Sequence, residues 1–180
     1  MKKILIFLWE VGKIALIAFV LVIGLRAFVF QPFLVRGASM EPNYHNWDYL
    51  IVDEISYRFQ EPQRGEVIVF TFPQDDTQRY IKRIIGLPGE TVEVANGAVT
   101  IFTSKGELVL DETDYLSPIE TPGSAKITLE DDEYFVMGDN RRYSSDSRSW
   151  GALNKKHIIG KTFLRVFPLS AFAKVETPEY

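Results

Sequence analysis

The feature that most limits how this chain can fold is an apolar run near its start, "VGKIALIAFVLVIGLRAFVFQPF", uninterrupted from Ile14 to Leu25 and resuming from Ala27 to Phe30. As a helix, Ile14 to Phe30 is about 26 Å long at about 1.5 Å per residue, nearly a hydrocarbon core if Lys13 and Arg26 extend their charges to the interfaces. The spacing predicts a transmembrane anchor over 12–30. Pro32 restricts Gln31 and ends the helix, and Phe28, Phe30 and Phe33 suit a membrane surface. The competing reading is a cleaved secretory leader, because Lys2 and Lys3 precede the run. It lacks an exit site: Arg26 and bulky phenylalanines follow, and small residues do not arrive until "RGAS". Lys2, Lys3 and Lys13 slightly outweigh Arg26 and Arg36, which places the N-terminus (1–11) inside and 31–180 outside.

Beyond the anchor, about 150 residues remain, an ordinary size for one domain with its own core. That part carries 16 basic and 23 acidic residues, a balance that argues against nonspecific binding to nucleic acid. The chain has no cysteine, which excludes thiol catalysis, thiolate metal sites and disulfides. His45 and His157 are distant in sequence and lack ligand-type neighbours, so no metal site is expected. Short β-branched or aromatic runs separated by Gly, Pro and Asp clusters, among them "YLIVDEI", "GEVIVFTF", "RYIKRIIG", "EYFVMGD" and "IIGKTFLRVFPL", read as a mainly β, antiparallel domain. In "TVEVANGAVTIF", Asn96-Gly97 suits a two-residue turn with Val94 opposite Val99 and Val92 opposite Ile101. The segment then becomes polar, with "SPIETPGS" as an exposed loop, so roughly 91–132 reads as a small β-hairpin excursion from the core sheet.

Three stretches hold residues suited to chemistry. Ser39, in "SMEP", follows Phe30 by nine residues, so it lies no more than about 30 Å from the membrane exit. A serine hydroxyl needs a base to become a nucleophile, and a neutral lysine can serve. Lys82 is placed for this: if "RYIKRIIG" is a strand, Tyr80, Lys82 and Ile84 face one way and Arg79, Ile81 and Arg83 the other. Burial in that company lowers the amine pKa. Taken alone, a strand lysine is more often a solvated side chain. The third stretch, "GDNRRYSSDSRSWG", is by default a turn and polar loop, but it concentrates Asp, Asn, Arg and Ser. Asp146 and Arg148 suit a charge-assisted pair, and Asp139 suits acceptance from main-chain amides or an arginine.

Together the anchor, "GASMEP", "YIKRIIGLPGE" and "GDNRRYSSDSRSWG", in that order and over nearly the whole chain, resemble the type I signal peptidase family, in particular its shorter Gram-positive members. The resemblance implies a membrane-bound serine endopeptidase of mainly β fold that removes signal peptides from exported preproteins, without metal or cofactor. It implies Ser39 as nucleophile, Lys82 as general base, Ser144 as the hydroxyl that orients the lysine, and Asp139, Asp146 and Arg148 as supports. Val35, Met40, Tyr80 and Ile81 are the expected walls of the substrate pockets. One departure stands out: some members place an oxyanion-stabilising serine two residues before the nucleophile, where this chain has Gly37. The Ser39 amide is then one donor and the second is unassigned. Two other readings compete, a self-cleaving Ser-Lys protein of related fold and a tethered binding module without catalysis. A penicillin-recognising enzyme fits poorly, since there serine and lysine lie one helical turn apart.

Overall fold

The computed structural model describes residues 2–28, 30–116, 121–178 and 180. Helix α1 spans Lys2–Phe28, and its side chains from Ile4 to Leu21 are largely exposed. Its apolar window, Lys2–Leu21, has a mean hydropathy of 2.3, long and apolar enough to cross a membrane by length and composition. The helix begins well before residue 12, where the sequence pattern places the anchor, and the polar turn "EVGK" is accommodated by a 2.8 Å ion pair between Lys13 and Glu10. It ends before Pro32, as expected.

Strand β1 (Phe30–Leu34) follows at once and pairs antiparallel with β2 (Tyr49–Asp53). Pro32 lacks an N–H donor, which β1 tolerates because it is an edge strand. Strands β3 (Val67–Phe72) and β4 (Asp75–Gly86) form a hairpin at the centre of the main sheet. Next come β5 (Thr91–Ala95), β6 (Ala98–Thr103), β7 (Gly106–Val109) and β8 (Ala125–Thr128), a separate antiparallel sheet ordered β7-β6-β5-β8. The chain returns through β9 (Glu133–Met137), the one-turn helix α2 (Ser147–Trp150) and β10 (Leu153–Asn154), then β11 (Ile158–Phe167) and β12 (Ala173–Lys174). The main sheet runs β1-β2-β11-β3-β4-β9-β10, with β12 added on β11.

The β5–β6 turn carries positive φ at both Asn96 (51°) and Gly97 (80°), the geometry a two-residue turn demands, and Val94 pairs with Val99 and Val92 with Ile101. The excursion is larger than a hairpin, because β7 and β8 flank it. Most of the "SPIETPGS" loop, 117–120, lies outside the described residues. Val92, Val94, Val99 and Ile101 pack on Ile85, Phe135 and Met137 of the main sheet. Gly86 lets the two sheets approach, since a Cβ there would overlap Val92 and Leu129.

Strand β4 contributes to all three hydrophobic clusters: Ile85 to the one between the sheets, Ile81 to one with Val35, Met40, Leu50 and Val67, and Ile84 to one with Phe70, Tyr134 and Val136. Removing any one of these isoleucine side chains to Ala is the kind of change that costs about 2–5 kcal/mol. Lys82 is therefore set in a strand anchored in all three clusters.

Candidate active site

The loop that carries Ser39 is short and closed at its base. Val35 N–H donates to Asp48 O and Trp47 N–H to Val35 O, each at 2.9 Å, so the residues between leave and rejoin the fold at one point. Gly37 adopts φ +90°, a left-handed conformation that glycine takes without strain, and its amide donates to Asn46 Oδ1 at 3.0 Å. From the other side Asn140 clamps the Ser39 turn: its amide donates to Ser39 O at 3.0 Å and its Nδ2 to Ala38 O at 2.9 Å.

Lys82 meets this loop from β4. Its Nζ donates to Ser39 Oγ at 2.8 Å and to Ile81 O at 2.9 Å, and the residue is 3% exposed. Burial lowers the amine pKa from 10.5 to about 8, against the opposing pull of the Asp146 and Asp139 carboxylates. An amine so shifted is partly neutral near pH 7–8 and able to accept the proton of the hydroxyl it touches.

Behind the pair, two buried carboxylates are held by arginines. Arg83 reaches Asp139 through Nε (2.9 Å) and Nη2 (2.7 Å), and its Nη1 donates to Gly65 O. Asp139 also accepts from Asn43 Nδ2 at 2.8 Å, so one carboxylate joins the serine loop, the lysine strand and the late loop. Arg148 grips Asp146 through Nε and Nη2, both at 2.8 Å, and Asp146 accepts the Gly138 amide at 3.1 Å. Burial alone would raise the Asp146 carboxyl, but the hydrogen bond and charge of Arg148 carry it below its ordinary value. Arg141 adds a third buried link, bidentate to Glu112 at 2.7 and 2.6 Å and bonded to Thr121 and Gly138 O, which ties the late loop to the second sheet.

Some expected contacts take another form. Ser144 makes no hydrogen bond to Lys82; its buried hydroxyl rests against Gly138 and beside Asp146, whose ionised form it favours, while the Ile81 carbonyl takes the second Nζ bond. Val35 and Met40 do not line the cleft: each is 1% exposed, packed with Ile81 beneath it, because the loop needs apolar anchors at both ends. Tyr80 and Ile81 do line it, together with Phe33, Leu34 and the exposed Tyr143, in a cleft of about 770 Å³ that opens over Ser39 and Lys82. Neither histidine lines that cleft, and among the described residues no three acidic or histidine side chains converge on a metal position. Asn140, Arg83 with Asp139, and Arg141 with Glu112 were not singled out as partners by sequence; the density of polar residues after "EYFVM" was the only signal.

A family model described as signal peptidase, peptidase S26, matches residues 8–167. A probable signal peptidase I-2 of Synechocystis sp. (strain PCC 6803) is 39% identical over 166 residues, covering 89% of this chain and 73% of that protein. Signal peptidase I S of Bacillus subtilis (strain 168) is 36% identical over 176 residues, 92% of each chain. A crystal structure of a signal peptidase I from Enterococcus faecalis V583 matches 57% of this chain and 97% of its own at 32% identity, with a TM-score of 0.47. By the extent of the family match and the length of these alignments, the chain belongs to the signal peptidase family, peptidase S26.

Proposed function

We propose that this protein is a membrane-anchored serine endopeptidase that removes N-terminal signal peptides from exported preproteins, with Ser39 as nucleophile and Lys82 as general base. The observation that carries the reading is the 2.8 Å hydrogen bond between a buried, pKa-lowered amine and a serine hydroxyl at the floor of an open cleft. In the cycle, the preprotein lies extended in the cleft, the small side chains one and three residues before the scissile bond facing its wall. Neutral Lys82 takes the Ser39 proton, the oxygen attacks the carbonyl carbon, and the ammonium protonates the departing amine. Water, deprotonated by the regenerated amine, releases the acyl group. The Ser39 amide, which makes no hydrogen bond among the described residues, is one oxyanion donor. Asp146 with Arg148 and Asp139 with Arg83 hold the loops in register, and Ser144, against Gly138 and beside Asp146, supports the late loop. The anchor, 12–30, overlaps helix α1 up to Phe28 and leaves 1–11 in the cytoplasm and 31–180 outside, next to the bilayer from which the signal peptide emerges. The serine loop starts directly after the edge strand that follows α1, which keeps the chemistry near the membrane.

The test is cleavage of a membrane-inserted model preprotein by the intact protein and by Ser39→Ala, with the cut site read by mass spectrometry. The expected result is a single cut after the small-residue motif, made only by the wild type. Cleavage by Ser39→Ala at a comparable rate overturns the assignment.

A further inference from the structure

Two arginines border the cleft without partners. Arg36 lies three residues before Ser39 on one wall and Arg79 three residues before Lys82 on the other; both are exposed. Neither forms an ion pair or a side-chain hydrogen bond among the described residues. Among the other described arginines, Arg64, Arg83, Arg141, Arg148 and Arg165 are each paired with a carboxylate, while Arg58 and Arg142 are exposed away from this cleft. No Asp or Glu lines the cleft, although the chain as a whole has net charge −4. The carboxylates behind the dyad, Asp139 and Asp146, are already matched by Arg83 and Arg148. The lining of the cleft thus carries cations and no carboxylate, with Asp75 at the rim engaged by Thr77 and Gln78, and its two guanidinium groups stay hydrated until something else brings an anion.

Geometry says which part of a substrate would do so. Side chains of an extended peptide alternate, so if the residues one and three before the scissile bond face the cleft wall, the residue between them points to the rim. Arg36 and Arg79 line the cleft from both walls with side chains long enough to extend toward that rim. We infer that the cleft selects preproteins carrying Asp or Glu two residues before the scissile bond and disfavours Lys or Arg there. The inference rests on the peptidase reading above.

The test uses the full chain in uncharged detergent micelles and three peptides differing only at that residue, Glu, Gln or Lys. For solvent-exposed pairs the expected preference in kcat/KM is about threefold to fivefold for Glu over Gln, with Lys disfavoured by a similar factor. It shrinks as salt rises to about 0.5 M. In Arg36→Gln combined with Arg79→Gln the Glu to Gln ratio falls to about one, a readout independent of overall rate. A ratio of one in the wild type, or one that persists in the double variant, overturns the inference and leaves the peptidase reading standing. Absence of peptide selectivity, with binding to anionic phosphatidylglycerol vesicles lost in the double variant, assigns the arginines to lipid headgroups and also overturns it. Failure of the wild type to cut any of the three peptides sinks both readings.

Discussion

Replacing Lys82 with methionine separates what the amine does for catalysis from what it costs the fold. The lysine is 3% exposed and its pKa falls from 10.5 to about 8, chiefly through burial. The unfolded chain therefore binds a proton that the folded chain releases between those values, so this group's penalty is complete below pH 8 and fades as pH rises toward 10.5. At about 1.4 kcal/mol per pH unit, the gap corresponds to about 3 kcal/mol of stability lost at pH 7. Methionine fills similar volume without a charge and forgoes the bonds to Ser39 Oγ and Ile81 O, worth about 1 kcal/mol each. At pH 7 Lys82→Met is expected to be as stable as the wild type or about 1 kcal/mol more so, while inactive. By pH 10 about 2–3 kcal/mol of the wild-type penalty is recovered and the order reverses. Urea unfolding of both proteins in the same micelles from pH 7 to pH 10 reads the difference, in which every other titration cancels. The wild-type kcat/KM should rise about tenfold per pH unit below the same midpoint and level above it. A stability difference that stays flat across this range would mean that the ammonium is as well accommodated in the fold as in water, and the dyad argument would fail.

Two further substitutions test the framework. Arg83→Met strands the Asp139 carboxylate in the core and is expected to cost about 3–5 kcal/mol, lowering Tm by roughly 10 °C; Asp139→Leu added to it should restore much of the loss, and no shift in a thermal scan would refute the pair's role. Gly138→Ala places a Cβ where Ser144 Oγ and Ser39 O now lie, and since backbone is involved the loops must part. A fall of about a hundredfold in kcat/KM with unchanged circular dichroism is expected, and near wild-type turnover would show that the contact is not tight.

Local chemistry made much of this fold legible. Asn96-Gly97 specifies a turn, and the turn fixes the register of the strands beside it, so the β5–β6 pairing follows from a dozen residues. The side-chain alternation around Lys82 was readable for the same reason, with Tyr80 and Ile84 in one cluster and Ile81 in another. Strand β7 is hard to read because all four of its side chains are exposed and carry no apolar period, and β8 because its alternation of Ala125 and Ile127 with Lys126 and Thr128 is only four residues long and pairs with a strand far back in the sequence, Val94 with Ala125. Val35 and Met40, expected as pocket walls, are buried core residues instead, since the position of an apolar residue in a loop does not tell which side of that loop faces the core. The partners of Asp139 and Glu112 lie 56 and 29 residues away, beyond any local pattern.

Those long-range pairs bear on how the proposed dyad keeps its lysine a base with two carboxylates behind it. Burial lowers the Lys82 pKa, and both Asp146 and Asp139 act to raise it. A lone carboxylate about 6 Å from an ammonium, at an effective dielectric of about 20, stabilises the charged form by about 3 kcal/mol, enough to cancel a depression of about two pH units. Here neither carboxylate is alone. Asp146 is gripped by Arg148 and Asp139 by Arg83, so each carboxylate that pulls the amine's pKa up has a guanidinium directly against it. Desolvation then prevails. The arginines of the late motif and of β4 therefore do two things with one contact: they hold the loops that bring Ser39 to Lys82, and they set a positive charge against each carboxylate that favours the protonated lysine.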